Sequence, residues 1–273
     1  MSRSFHQFSS DTTKLAGTLD SGPKTAGLLI VSGGNEIRAG SHGGMARLAQ
    51  NMGQLGYPVF RYDRAGIGES GGENRGFLES AADIQAAIQY FQSQCPHMKK
   101  IVAFGNCDAA SSLLLFSDAL KLDHMVLSNP WVIDENTPDQ QSAAPPSPSA
   151  IRSRYWDRIK NPQSVIDLFT GKINLIKLAK GLKQATQKQE NSALAECLQN
   201  RFSQLTIPCE ILLAQRDTTA RAFLAAWHSS DFSGVRGQAN INIISRDTAS
   251  HSFADEQSKN WLQDQILDVL EAC

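Results

Sequence analysis

The sequence predicts an α/β fold in which a mostly parallel central sheet is flanked by helices on both faces. The first observation is that short apolar runs of strand length alternate with amphipathic stretches of helix length. The second is that most of these runs are nearly continuous in apolar residues, as in buried strands. The third is size: 273 residues, 41% hydrophobic and 19% charged, suit one large domain, or a domain with an insertion.

Each element can be placed in chain order from its hydrophobic pattern and the turn residues that flank it. We expect an opening hairpin, six buried strands and five helices. The hairpin is predicted at 5–8 and 15–19, the strands at 26–31, 58–62, 101–104, 125–127, 210–214 and 241–244, and the helices at 45–55, 81–94, 109–120, 219–227 and 253–270.

The alternation stops after Asn129-Pro130-Trp131. Residues 137–149 (TPDQQSAAPPSPS) are rich in Pro and Ser, which predicts a flexible linker. Residues 150–205 are helical in pattern and carry no strand signal. We therefore predict a core formed by residues 1–130 and 206–273, with a linker and helical cap insertion at 131–205.

The predicted cap is basic. Residues 150–205 carry a formal charge of +6, against −7 for the rest of the chain. One interpretation is a solvated helical surface. The other is charge-guided contact with an anionic partner, such as coenzyme A, an acyl carrier protein or an anionic lipid surface.

Composition excludes several classes of protein. A formal net charge of −1 gives no basic footprint for nucleic acid. The N-terminal residues lack the apolar region of a signal peptide, and no stretch approaches the roughly 18 apolar residues of a membrane span, so we expect a cytoplasmic protein. The five cysteines form no Cys-x-x-Cys pair, which predicts neither a disulfide framework nor a structural metal.

The strongest local signal is Phe104-Gly105-Asn106-Cys107-Asp108-Ala109, between a predicted strand and a predicted helix. This is the context of a nucleophile elbow, whose central residue has a strained backbone and needs small residues two positions before and after it. Gly105 and Ala109 meet that need. Cys107 stands in the nucleophile position, and a thiol at a helix N-terminus beside an imidazole is a competent nucleophile. The alternative is a small buried apolar cysteine.

A nucleophile of this kind needs a base and an acid, which follow it in chain order at the ends of later strands. Asp217 follows the strand at 210–214, and His251 follows the strand at 241–244. Both are expected at the same sheet edge as Cys107. Asp247, closer in sequence to His251, is a rival for the acid.

The oxyanion hole of such a site uses the amide after the nucleophile and one from the loop after the first central strand. These are predicted to be the Asp108 and Gly34 amides, the latter in Ser32-Gly33-Gly34-Asn35-Glu36. The glycine-rich run 63–70 lacks the Lys of a phosphate-binding loop and is interpreted as structural.

The 63–70 run resembles the D-x-x-G-x-G-x-S loop of α/β-hydrolases, and nearly the whole chain resembles that superfamily. More narrowly, the chain is similar to the type 1 exosortase A system-associated hydrolases, which are bacterial and accompany exopolysaccharide and exosortase protein-sorting loci. The motifs that carry this likeness are GGNEIRAGSH (33–42), YDRAGIGES (62–70), GNCDAAS (105–111), LSNPWV (127–132) and RDTTA (216–220). Ser32, Arg64 and Ala65 depart from the family pattern. A Cys-His-Asp triad also resembles the dienelactone hydrolases.

These residues predict hydrolysis of an ester, thioester or lactone through a covalent acyl-enzyme on Cys107, with no cofactor. The resemblance implies the α/β-hydrolase fold. Two alternatives are an acyltransferase that uses the same triad and a non-catalytic binding protein that keeps the fold.

Overall fold

The computed structural model describes residues 2–134 and 192–273. The strands of these residues form one eight-stranded sheet in the spatial order β1-β2-β4-β3-β5-β6-β7-β8. In chain order they are β1 (Arg3–Ser10), β2 (Thr13–Asp20), β3 (Ala26–Val31), β4 (Val59–Tyr62), β5 (Lys100–Asn106), β6 (His124–Ser128), β7 (Cys209–Ala214) and β8 (Ile241–Arg246).

The sheet is antiparallel only at its beginning, where β1 pairs with β2 and β2 pairs with β4. All other neighbours are parallel. The carboxyl ends of β3 to β8 therefore lie along one edge of the sheet, where the loops that follow them come together.

Helices cover both faces of the sheet. They are α1 (Gly44–Gln54), α2 (Ala81–Gln94), α3 (Asp108–Leu115), α4 (Ala193–Gln204), α5 (Thr218–Trp227) and α6 (Glu256–Ala272). Buried residues of α2 to α5 join one apolar cluster, and those of α1 and α6 join a second. Alternate residues of β3 contribute to the two clusters, since Leu29 faces the first and Leu28 the second.

Helix α4 packs on this core, although it lies inside the predicted insertion. Its Leu198 and Phe202 are fully buried, and the Phe202 ring contacts Phe223 and Trp227 of α5. The predicted linker at 137–149 and the predicted cap up to residue 191 lie outside the described residues. The division into core and cap stays a prediction.

The predicted fold class is confirmed: a mostly parallel sheet flanked by helices. Two helices differ in length from the prediction. Helix α3 ends at Leu115 rather than residue 120, and its chain continues in turns around Ser117 and Asp118, residue types that compete with helical hydrogen bonds. Helix α6 begins at Glu256 rather than 253, because the Asp255 side chain caps it by accepting from the Ser258 amide.

None of the helices in residues 2–134 and 192–273 is both long enough and apolar enough to cross a membrane.

Candidate active site

Cys107 lies in a strained turn between β5 and α3. Its φ of 62° and ψ of −126° are unfavourable for a residue with a side chain, and it is the N-cap residue of α3. A Cβ on Gly105 would lie 2.8 Å from the backbone carbonyl carbon of Ala109, so position 105 must be glycine. Because the turn is this tight, the Cys107 side chain projects at the carboxyl edge of the sheet, as predicted for an elbow.

His251 and Asp217 meet at the same edge. The Nδ1 atom of His251 lies 2.9 Å from Oδ2 of Asp217. That oxygen also accepts from the Thr219 and Ala220 amides at 3.1 and 3.0 Å, so Asp217 caps α5 as well. Two backbone bonds fix the orientation of the carboxylate toward the imidazole.

Asp247, the alternative candidate for the acid, pairs with Arg216 instead of His251. Asp247 is largely exposed, and its Oδ1 lies 2.8 Å from Nε of Arg216. The structure therefore brings Asp217, and not Asp247, to His251.

The pKa shifts of His251 and Asp217 are those expected for two groups of opposite charge in contact. Burial lowers the pKa of His251, but hydrogen bonds and charges of Asp217 and Cys107 outweigh it and raise the pKa to about 10. Burial raises the pKa of Asp217, yet its bonds to His251 and to the α5 amides leave it below the ordinary value. The surroundings of His251 therefore favour the protonated imidazole, and those of Asp217 favour the carboxylate.

The two residues predicted to form the oxyanion hole contact each other, but the contact occupies one of the two amides. The Gly34 N–H donates to Oδ1 of Asp108 at 2.6 Å. Gly34 has φ 55°, which favours glycine, and a side chain on Gly33 would lie 2.5 Å from the same carboxylate oxygen. The Gly34 amide can serve a substrate only after the Asp108 carboxylate turns away.

Among the described residues, Arg64 forms an ion pair with that carboxylate. Its Nη2 lies 3.9 Å from Oδ2 of Asp108 and donates to the Gly34 carbonyl. Its Nη1 is buried and has no hydrogen-bond partner among the described residues. The sequence predicted a role for the backbone amide of Asp108 but none for its carboxylate. The signal for the carboxylate's contact with Gly34 and Arg64 is the presence of an acidic residue directly after the nucleophile.

The loop that carries Gly34 is held by the glycine-rich segment after β4. The backbone amide of Arg38 donates to Oδ1 of Asp63 at 2.5 Å, and its guanidinium pairs with the same carboxylate. Asp63 is fully buried and also accepts from the Glu69 amide. These contacts agree with the structural interpretation of the 63–70 run.

The other four cysteines differ in burial. Cys95 and Cys209 are buried, which raises the pKa of each thiol, while Cys197 and Cys273 are exposed. The described residues hold no group of three or more His, Cys, Asp or Glu side chains that could bind a metal ion.

The sheet, the elbow and the paired side chains at its edge define an α/β-hydrolase. The sequence matches the model of the serine aminopeptidase S33 family over residues 22–256, well over half of the chain. The chain belongs to that family. Serine is part of the family's name, whereas the elbow residue of this chain is Cys107. A search of curated proteins gave no significant match.

Solved structures share the fold at low sequence identity. An esterase of Pyrococcus furiosus aligns with a TM-score of 0.67 and 15% identity, over 99% of this chain and 91% of that one. An α/β-hydrolase of a Penicillium species gives 0.64 and 16%, over 100% and 99%. A thioesterase domain from the curacin biosynthetic pathway gives 0.60 and 12%, over 98% and 100%.

Proposed function

We propose that this α/β-hydrolase cleaves an ester, a thioester or a lactone through an acyl-enzyme on Cys107. The observation that carries the proposal is the geometry of the edge: a cysteine in a strained elbow, close enough to His251 to raise the pKa of its imidazole, and a buried carboxylate that holds Nδ1 of that imidazole. Nucleophile, base and orienting acid stand in the order that acyl transfer requires. Fold neighbours that are themselves an esterase and a thioesterase domain support the substrate class.

The first half-reaction forms the acyl-enzyme. The Cys107 sulfur attacks the carbonyl carbon, and a carbon–sulfur bond forms while the carbonyl oxygen takes the negative charge. When the carbonyl reforms, the bond to the leaving oxygen or sulfur breaks, and the His251 imidazolium gives its proton to that atom. Asp217 stabilises the imidazolium and holds it in orientation throughout.

The second half-reaction returns the free enzyme. His251, now neutral, takes a proton from water as the water oxygen attacks the thioester carbon. The carbon–sulfur bond breaks, the acid product leaves, and the proton taken from water remains on the Cys107–His251 pair. No step in this sequence needs a metal or an organic cofactor.

We assign the oxyanion to the amides of Asp108 and Gly34. The carboxylate of Asp108 must first release the Gly34 N–H, since a negative charge at that place would repel the oxyanion. The guanidinium of Arg64, whose Nη2 is 3.9 Å away and whose Nη1 has no partner in the part of the chain that the structure describes, is the group that would receive it.

The test combines a substrate panel with mass measurement. Acyl esters, acyl thioesters and lactones are assayed in a Cys197→Ser/Cys273→Ser protein, which removes the exposed thiols that compete for iodoacetamide. We expect turnover that iodoacetamide abolishes and an acyl adduct on Cys107 in the intact mass. Turnover that survives in Cys107→Ala would refute the nucleophile.

Other outcomes of the panel identify the alternative functions. An acyl-Cys107 that persists in water and reacts only with an added alcohol, amine or thiol would indicate an acyltransferase. No turnover and no adduct on any substrate would indicate a binding protein that keeps the fold.

Three finer features of the proposal come from sequence. Five motifs favour the exosortase-associated class, so we place the substrate in exopolysaccharide or exosortase-linked metabolism; adjacent exosortase genes would support this placement.

The charge of +6 over residues 150–205 favours an acyl donor carried on coenzyme A, an acyl carrier protein or an anionic lipid surface. We propose a cytoplasmic location, which fractionation of the native host would test.

A further inference from the structure

The segment Ser128-Asn129-Pro130-Trp131, part of the LSNPWV motif, has no role in the reaction above, yet it lies directly against the elbow. The Cys107 amide donates to the Ser128 carbonyl at 2.9 Å, and the Trp131 amide donates to the Cys107 carbonyl at 3.2 Å. The backbone of the proposed nucleophile is thus held on both sides by one short segment that follows β6.

Asn129 is the residue of this segment whose side chain contacts both the elbow and the loop of His251. It is fully buried and has φ 42°, in the left-handed region that asparagine adopts more readily than most residues. Its backbone amide donates to the Leu212 carbonyl at 3.0 Å, which fixes the segment to β7.

The side-chain amide of Asn129 contacts three segments, each of which carries one residue of the proposed triad. Its Oδ1 accepts from the Ala214 amide at 2.9 Å, at the end of the strand that leads to Asp217. Its Nδ2 donates to the His251 carbonyl at 3.0 Å and to Oδ1 of Asn106, next to Cys107, at 3.1 Å.

Only a carboxamide satisfies these three partners. One oxygen must accept from an N–H, while one nitrogen must donate both its hydrogens to oxygen atoms. A carboxylate at this position could not donate, so one of its oxygens would face the His251 carbonyl and Oδ1 of Asn106, which are both acceptors. An aliphatic side chain would leave these buried polar groups without hydrogen-bond partners, which destabilises the fold around the site.

We propose that Asn129 is a positioning residue that sets the separation of Cys107 and His251. The inference rests on the proposed function, because it takes these two residues as the reacting pair. His251 lies on a loop, and among the described contacts the Asn129 amide is what ties its carbonyl to the segment that holds the elbow. An error of about 1 Å in such a pair can cost on the order of 100-fold in rate.

The test measures the interaction between Cys107 and His251. Its observable is the rate at which iodoacetamide alkylates Cys107 in the Cys197→Ser/Cys273→Ser protein. An imidazolium keeps a neighbouring thiolate reactive at mildly acidic pH, whereas an unassisted thiol reacts mainly at alkaline pH. The readout is therefore the ratio of rate constants at about pH 6.5 and about pH 9.5. This ratio needs no substrate, and a loss of stability alone does not change it while the protein is folded.

Asn129→Gly is the main variant, because glycine accepts φ 42° and removes only the amide. Asn240→Gly is the matched control. The Asn240 side chain also donates to two carbonyls, those of Leu205 and Ile207 at 2.8 and 3.0 Å, but it lies before β8 at the opposite edge of the sheet.

We expect Asn129→Gly to lower the ratio by about 10- to 100-fold and Asn240→Gly to leave it unchanged. A wild-type ratio in folded Asn129→Gly, or an equal fall in the control, would overturn the inference. If Asn129→Gly does not fold, Asn106→Ala removes the bond on the Cys107 side, together with the bond that Asn106 Oδ1 accepts from the Ser128 hydroxyl, and must lower the ratio in the same direction. An unchanged ratio there also overturns the inference.

His251→Ala separates this inference from the proposed function. A ratio that depends on both His251 and Asn129, in a protein that hydrolyses none of the acyl substrates, refutes the hydrolase and retains the positioning role. A ratio that does not respond to His251→Ala refutes both, since Cys107 and His251 would then not act as a pair.

Discussion

At the scale of single residues, the charge state of His251 determines the pH range in which the site can act. With its pKa near 10, the imidazole carries a proton at neutral pH, where Asp217 is ionised. A serine-type site instead needs a neutral imidazole at rest. The two mechanisms therefore predict opposite pH profiles.

We expect kcat/KM for an alkyl ester to be level through neutral pH and to fall as His251 loses its proton near pH 10. The alkoxide leaving group needs that proton, whereas p-nitrophenolate does not. A p-nitrophenyl ester with the same acyl group is thus the matched substrate and should lack the alkaline fall. A rise of both profiles through about pH 6.5 would instead identify neutral His251 as the resting base.

The two candidate acids are distinguished by conservative amide substitutions. His251→Ala should lose roughly 10³-fold or more in kcat, and Asp217→Asn somewhat less, because the carboxylate only orients and stabilises the imidazole. Asparagine still caps a helix, so the loss in Asp217→Asn reports on the site rather than on α5. Asp247→Asn, which breaks an exposed pair with Arg216, should stay within about twofold of wild type.

The Asp108 carboxylate gives a further prediction at this scale. Asp108→Asn keeps the size of the side chain but removes the charge, so the Gly34 amide is released more easily and the oxyanion meets no repulsion. We expect kcat/KM for a small neutral ester to rise about threefold or more. Asp118→Asn, which breaks an exposed pair at the far end of α3, is the control. A fall of about tenfold in Asp108→Asn alone would show that the carboxylate takes part in the reaction.

At the scale of elements, the turn between β5 and α3 depends on close approach of two backbones. Gly105→Ala places a Cβ 2.8 Å from the Ala109 carbonyl carbon, and a backbone cannot yield as a flexible side chain can. We expect a loss of about 1–3 kcal/mol in the free energy of unfolding, measured in urea, together with loss of activity. Gly234→Ala meets no atom within 4 Å and should change stability by less than about 1 kcal/mol. Equal stability of the two variants would contradict the tight turn.

At the scale of the whole molecule, charge is distributed unevenly between residues 150–205 and the rest of the chain. Attraction of an anionic acyl donor by this segment would act on association, and salt would weaken it as the Debye length falls from about 10 Å at 0.1 M to about 3 Å at 1 M. We expect kcat/KM for an acyl-coenzyme A to fall with ionic strength, while that for a neutral ester hardly changes.

Charge reversal distinguishes this attraction from a general effect of net charge. Glutamate at Arg152, Arg154 and Arg158, residues outside those the structure describes, should reproduce the salt effect at low ionic strength. The same change at Lys14, Lys99 and Lys121, which are exposed and lie outside residues 150–205, is the control. Equal losses in both sets, or in neither, would leave the basic segment as a solvated surface.

Sequence by itself determined the elements and the order of the chemical groups. The alternation of strands and helices, the strand–turn–helix around Cys107, and the positions of Asp217 and His251 after later strands are all local signals. They can be recognised from the period of the hydrophobic residues, from the positions of glycine and from the order of the motifs along the chain. None of these features depends on contacts between distant residues. Ends of elements were less well determined, as in α3 and α6, because side-chain caps and turns decide where a helix begins and ends.

Only the tertiary structure decided which groups meet. Asp217 and Asp247 are both near strand ends in sequence, yet hydrogen bonding joins Asp217 to His251 and leaves Asp247 with Arg216. The bond from Gly34 to Asp108 spans 74 residues and that from Asn129 to His251 spans 122. No local pattern encodes such pairs, because the distance between two loops depends on sheet order, twist and helix packing together.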